Sequence, residues 1–295
     1  MEKFLHDKKA ILIFILPTLI VYIGLVFIPI GFSGYYSLLD WNGRAGTEVF
    51  VGLKNYLNLF QPLDFFPLAL RNATILGILS VFVQIPIALI LALLIARNTK
   101  FEGFFRSAYF IPVIISTTVL GQLWQKIYHP EFGVVNHLLN AVGLSSWTRG
   151  WLADPNTVLG ALLFVMIWQY IGYHMLLLYS QIKSIPENLY EAASIDGASG
   201  YYLATRITIP LIMPMIKVCV TFSLIGCLKS FDLVWVLTKG GPFHLTEVPT
   251  TVMFDVIISQ ARYGAGSAMA IFIMLVCLVI TALIMRFFKV ENYEY

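Results

Sequence analysis

Residues 185–214 read IPENLYEAASIDGASGYYLATRITIPLIMP, a polar and helix-prone stretch set between long apolar runs. Pro186 suits the first turn of a helix, and Glu187, Leu189, Glu191, Ala192 and Ala193 continue it. Gly197 offers a backbone position free of the Cβ restriction and is placed to end that helix. Gly200 repeats the opportunity, and a second short helix from about Tyr201 to Thr208 leads to Pro210. The predicted unit is a small helix–turn–helix lying on one face of a membrane. Its apolar positions Leu189, Ala192, Ala193 and Ile195 are expected to dock onto another protein; the plainer alternative is an amphipathic surface helix without a partner.

The runs on either side explain why a membrane enters the argument. Of 295 residues 59% are hydrophobic and 12% charged, with a mean hydropathy of +0.81. A soluble domain carries about a quarter charged residues, and a chain this apolar lacks the polar surface to face water alone. The net charge of +3 gives no basic surface for nucleic acid. Cys219, Cys227 and Cys277 all lie in apolar segments without metal-type spacing and read as small packing residues. Six segments have the ~20 apolar residues that a membrane crossing needs. They run over about 10–32, 70–96, 107–127, 157–180, 211–228 and 267–288. The fifth is the weakest, because it contains Lys217 and runs into Lys229 and Asp232. Pro17, Pro29, Pro86, Pro112, Pro210 and Pro214 predict kinks. The expected fold class is all-α membrane protein, about six transmembrane helices in one domain over 1–295.

Basic residues set the orientation. With the N-terminus in the cytoplasm, ten lie inside (Lys3, Lys8, Lys9, Arg97, Lys100, Arg106, Lys183, Arg206, Arg286, Lys289) and eight outside. The outside loops are longer, so the density favours this arrangement, with both termini cytoplasmic. The first apolar run exceeds a signal-peptide core of ~7–15 residues and is read as a retained helix. The segment 181–209 then faces the cytoplasm.

Within that segment Glu191-Ala192-Ala193, then Gly197, then Ile207 and Pro210 resemble the EAA loop of the permease subunits of binding-protein-dependent ABC importers. Ser184-Ile185-Pro186 and Asp196-Gly197-Ala198 are similar to the carbohydrate-uptake, maltose-type branch. Gly52-Leu53-Lys54-Asn55-Tyr56, Trp151-Leu152-Ala153-Asp154-Pro155 and Leu237-Thr238-Lys239-Gly240-Gly241-Pro242 extend the likeness over most of the chain. Asp40-Trp41-Asn42-Gly43 and the Lys-rich opening resemble the first permease of such pairs. The resemblance implies a permease fold and a bacterial or archaeal cytoplasmic (inner) membrane. It implies four kinds of partner: a second permease subunit in a heterodimer, two ATPase subunits, an external substrate-binding protein and a carbohydrate substrate. It further implies that Glu191, Ala192, Ala193, Asp196 and Gly197 form the ATPase-coupling element, with Glu191 meeting a basic residue of the ATPase.

Energy and substrate complete the reading. No G-x-x-x-x-G-K-[ST] occurs, and Gly240-Gly241-Pro242 cannot replace it, since proline removes a phosphate-facing N–H. No cofactor is expected in this chain; ATP and Mg are expected on the partner ATPase. The five histidines show no H-E-x-x-H spacing, which argues against a membrane enzyme. An ion-coupled transporter would need embedded acidic relays, and only Asp232 qualifies. A sugar presents hydroxyls and flat apolar faces, so its path is sought among polar and aromatic residues inside helices. Those are Thr117, Trp168, Gln169, Tyr173, Ser223 and Ser230, then Asp232 and Trp235. Each has a plainer role, Ser and Thr bonding their own helix and Trp and Tyr marking an interface. His174 is read as a packing or interhelix hydrogen-bonding residue. A polyol-phosphate importer is the alternative, with Lys229 as its one obvious cation.

Overall fold

The computed structural model describes residues 8–61, 65–96 and 101–287. Lys3, Arg97, Lys100 and Lys289, four of the basic residues expected on the cytoplasmic side, lie outside them. Helix α1 passes through Lys8–Tyr22, a π-helical turn at Ile23–Phe27 and Ile28–Tyr36. Strands β1 (Leu39–Asp40) and β2 (Val49–Phe50) pair antiparallel, Leu39 opposite Phe50. Then come α2 (Lys54–Asn58) and α3, which comprises Phe66–Leu79, a π-helical turn at Ser80–Gln84 and Ile85–Ile95. Next are α4 (Glu102–Ile114), α5 (Thr117–Ile127), α6 (Val134–Ala141) and α7 (Val158–Lys183). Helix α8 (Glu187–Ile195) precedes α9, built of Gly200–Leu203, a π-helical turn at Ala204–Thr208 and Ile209–Leu211. The chain continues with α10 (Met213–Lys229), α11 (Asp232–Leu237), α12 (Pro249–Ile258) and α13 (Tyr263–Phe287).

All three π-helical turns end just before an Ile-Pro pair: Ile28-Pro29, Ile85-Pro86 and Ile209-Pro210. Proline has no N–H for the carbonyl four residues back, and its ring crowds that carbonyl. The helix answers by widening for one turn. The isoleucine N–H reaches five residues back, to the carbonyls of Ile23, Ser80 and Ala204. At these three positions the prolines therefore widen the helix for a turn without ending it.

Two other segments depart from expectation. The third apolar segment is not one rod: α4 and α5 meet at 95° across Ile115 and Ser116, both extended. Pro112 removes one of the last N–H groups of α4, and Ser116 favours the non-helical start of a new helix. The fifth segment starts earlier than 211, since α9 and α10 are joined by a 70° bend at Ile212. Among the described residues four continuous helices are long and apolar enough to cross a membrane, and up to six if each bent pair counts as one span. Helices α6, α11 and α12 are additional short elements absent from the hydropathy pattern.

The chain divides into two compact units, 1–64 with 253–275 and 65–252 with 276–295. In the first, the Gly52–Tyr56 motif is a staple. Asn55 Nδ2 donates to the carbonyls of Ser37 and Leu39 at 2.9 and 2.8 Å, and Tyr56 donates to Ser37 Oγ at 2.7 Å. Trp41 lies between Tyr36 and Tyr263, with ring centroids 4.7 and 5.6 Å away. The Asp40–Gly43 turn is thereby tied to the start of α13.

The second unit is organised on α7. Along α3, Ala88 and Ala92 are fully buried and let the two helices pack closely, with Met175, Leu178 and Ile182 filling the seam. On another side an added Cβ at Gly172 would strike the Tyr109 carbonyl, so glycine sets the approach of α4. A second cluster joins Leu120 and Trp124 of α5, Leu162 and Val165 of α7 and Val234 of α11. The Trp151 indole donates to Asn136 Oδ1 at 2.8 Å. In the Leu237–Pro242 motif, Thr238 and Thr246 hydroxyls lie 2.8 Å apart and buried Glu247 occupies the space that a Cβ on Gly240 would need. These motifs fix loops.

Candidate functional site

Between the two clusters of the second unit lies a cavity of about 440 Å3, within the range of small-molecule sites. Its walls follow from helical periodicity. Met166, Gln169, Tyr170, Tyr173 and His174 of α7 all line it, at spacings of three and four that place them on one face. Ser223, Gly226 and Cys227 of α10 supply a second wall, and Ser80 and Gln84 of the π-helical turn a third. Thr117 enters as the first residue of α5. Lys229, Ser230, Phe231 and Asp232 enter where α10 gives way to α11. Both helix breaks of this region thus open onto one space.

Of the eight predicted path residues, Thr117, Gln169, Tyr173, Ser223, Ser230 and Asp232 line the cavity. Trp168 and Trp235 do not. Trp168 is one residue, about 100° of helix, away from Gln169. It packs edge-on against Trp124 at 5.3 Å instead. Trp235 stacks on Phe231 at 5.5 Å. As candidate path residues, Trp168 and Trp235 are therefore set apart from the other six.

Ser80 and Gln84 are cavity residues that the sequence reading omitted. They are two polar residues in the middle of the apolar run 70–96, and that contrast is the signal available for finding them. Gln84 Nε2 lies 3.0 Å from His174 Nδ1, and Ser80 Oγ donates to Gln84 Oε1. His174 makes the interhelix bond expected of it. Its Nδ1 is also 3.1 Å from the Tyr170 carbonyl, so the ring nitrogen either accepts from the Gln84 amide or donates to that carbonyl. Gln169 is 2% exposed, and its Oε1 has no hydrogen-bond partner among the described residues.

The second candidate element is α8. It ends in a Schellman motif: Ala198 N–H bonds the Ala193 carbonyl at 2.9 Å and Gly197 N–H the Ser194 carbonyl at 3.1 Å. Gly197 has φ +80°, the left-handed conformation that this closure requires. Glu191, Ala192, Asp196 and Gly197 are exposed, whereas Ala193 is buried. Leu189 is half-buried and packs with Tyr190 on the α3–α7 cluster. The docking face expected at Leu189, Ala192, Ala193 and Ile195 is thus divided. Leu189 and Ala193 seat the helix on its own chain, while Ala192 and Ile195, the latter 86% exposed, face outward.

Known proteins bear on both elements. A probable starch degradation products transport system permease protein of Thermoanaerobacterium thermosulfurigenes is 32% identical, over 95% of this chain and 94% of its own. A trehalose/maltose transport system permease protein of Thermococcus litoralis is 30% identical over 90% and 89%. A chain of a bacterial alginate ABC transporter, solved with an alginate pentasaccharide-bound periplasmic protein, superposes with a TM-score of 0.83. It is 25% identical and matches 98% of this chain and 96% of that one. Residues 75–289 match the family described as binding-protein-dependent transport system inner membrane component, and the chain, helical and multi-pass by its apolar spans, belongs to that family.

Proposed function

We propose that this chain is a transmembrane subunit of an ATP-driven importer of sugars or oligosaccharides, and that the cavity on α7 is part of the sugar path. One observation carries the reading: Gln169, Tyr170 and Tyr173 present a hydrogen-bonding and aromatic wall to a cavity of about 440 Å3 inside an otherwise apolar unit. Polar groups at membrane depth persist where they face a cavity or a partner. Thr117, Ser223, Ser230 and Asp232 are further path residues. Trp168 and Trp235 are placed in support of that wall rather than against the substrate. The relatives named for starch products and trehalose/maltose point to the same substrate class. Lys229 is accompanied at the cavity by Asp232, so the site has no net positive charge to favour a phosphate.

The chain supplies no ATPase of its own in this reading. Two ATPase subunits bind ATP and Mg, and the exposed Glu191, Ala192, Asp196 and Gly197 engage one of them, with Ala193 seating the helix from below. A second permease completes a heterodimer, an external binding protein delivers the sugar, and residues 1–295 serve this one task with both termini cytoplasmic. The test is ATP hydrolysis and sugar uptake by the reconstituted assembly. Gly197→Val forces a β-branched residue to φ +80° and costs about 1–3 kcal/mol at the turn. Uptake and binding-protein-stimulated hydrolysis are expected to fall at least tenfold. Uptake that needs no ATPase and ignores Gly197→Val would sink the proposal.

A further inference from the structure

Three helix ends meet the cavity, and they are not alike. Helix α10 ends on Lys229 and α11 begins on Asp232, so each carries the charge that offsets its own dipole. The N-terminus of α5 does not: its first turn has no acidic residue, and Ser116 makes no side-chain cap. The first backbone bond there runs from Leu120 N–H to the Ser116 carbonyl at 2.9 Å. The N–H groups of Thr117, Thr118 and Val119 precede that bond and have no acceptor among the described residues. A continuous helix from α4 would have satisfied them; the 95° break leaves them free at the residue that enters the cavity. A residue that lines the same cavity also carries an unmatched group: Gln169 is 2% exposed and its buried Oε1 has no partner among the described residues.

The geometry points to the start of α5 as the hydrogen-bond donor pole of the cavity. It takes a lone-pair oxygen of the passing sugar, a hydroxyl or ring oxygen, while the Gln169 amide accepts from a neighbouring hydroxyl. This rests on the sugar-import reading and adds to it which atoms recognise the substrate: main-chain donors, available to any sugar with an oxygen in that position. Broken helices at membrane depth are tolerated where the freed backbone lines a cavity, and a helix N-terminus brings about +0.5 charge to it.

Main-chain donors can be tested because Thr117 is the first helical residue, where proline is accepted. Ser116, at φ −50° and ψ 130°, already has the extended conformation that a following proline demands. The complete transporter is placed in proteoliposomes and uptake of maltotriose, trehalose and diacetylchitobiose is measured. Thr117→Ala isolates the hydroxyl, and Thr117→Pro removes the N–H as well. The KM of Thr117→Pro is expected to exceed that of Thr117→Ala by about 3–10-fold, the size of one lost hydrogen bond. Ser116→Asp supplies the missing cap, competes with the sugar for the same donors and is expected to raise KM by a similar factor. A fault confined to helix packing would lower maximal uptake and leave KM alone. An unchanged KM in either variant that assembles overturns the inference, and Ser116→Asp decides if Thr117→Pro does not assemble. If the unaltered transporter takes up none of the three sugars, the sugar reading itself fails and the inference falls with it.

Discussion

Gln84 is 2% exposed in a largely apolar part of α3, where an unpaired amide would be costly. It is retained because both ends of the amide are occupied, by Ser80 on its own turn and by His174 on α7. Gln84→Leu removes the partner of each. The expected loss is about 1–3 kcal/mol of stability, the cost of stranding buried polar groups. It is read as a lowered melting temperature of the detergent-solubilised complex. Gln84→Glu keeps the shape and an acceptor for Ser80, and should recover part of the loss. Equal melting temperatures for Gln84→Leu and the unaltered protein would show that the bond between the helices adds nothing.

At the scale of elements, the π-helical turns make a local rule with a consequence for the cavity. If Pro86 is what widens Ser80–Gln84, Pro86→Ala lets the carbonyl of Phe82 regain its donor and the turn revert to α-helix. One residue of register is about 100° of rotation, enough to swing Ser80 and the N-terminal part of α3 relative to Gln84. Pro86→Ala should therefore raise thermal stability by about 1 kcal/mol while lowering sugar uptake several-fold. A stability gain with uptake intact would separate the turn from transport. The same rule shows what the sequence tells and withholds. The apolar runs reveal the spans, and Gln169 and Tyr173, four apart, reveal the face of α7 that lines the cavity. Trp168 is not so legible, since an aromatic ring at membrane depth packs as well against Trp124 as against a sugar. The facing of Ser80 and Gln84 depends on a change of helical register that a period of 3.6 does not contain. The 95° break at Ser116 lies inside a run whose hydropathy still reads as a single span, and Pro112 announces a kink there but not its size or place. In α8, Gly197 announces its turn directly, yet the inward turn of Ala193 depends on a core distant in sequence.

At the scale of the molecule, each unit leaves a different task to its surroundings. The apolar run Ile13–Tyr36 has no buried residue, so its surface requires lipid or another subunit. In the second unit one stretch of chain joins α8, the proposed coupling helix, to the cavity. From α8, the chain passes through α9, bends by 70° at Ile212 and continues as α10, whose far half carries Ser223 and Cys227 and which Ser230 ends. With 17 residues, α10 is about 25 Å long. A displacement of the coupling loop reaches the cavity wall along this path only if the bend holds its angle. Ile212 is fully buried against the α3–α7 cluster, which fixes it from the inside. Pro214, in the first turn of α10, blocks the hydrogen bond that would carry α9 straight through. Pro214→Ala permits that bond. The expected outcome is an uncoupled transporter in which the ATPase subunits hydrolyse ATP within about twofold of the normal rate while uptake per ATP falls several-fold. Measuring both rates on the same proteoliposomes checks it, because a transmission fault changes their ratio whereas simple misfolding lowers the two together. If Pro214→Ala preserves the ratio, the bend is a packing feature and the coupling stroke travels by another route, of which α7, packed along α3, is the next to test.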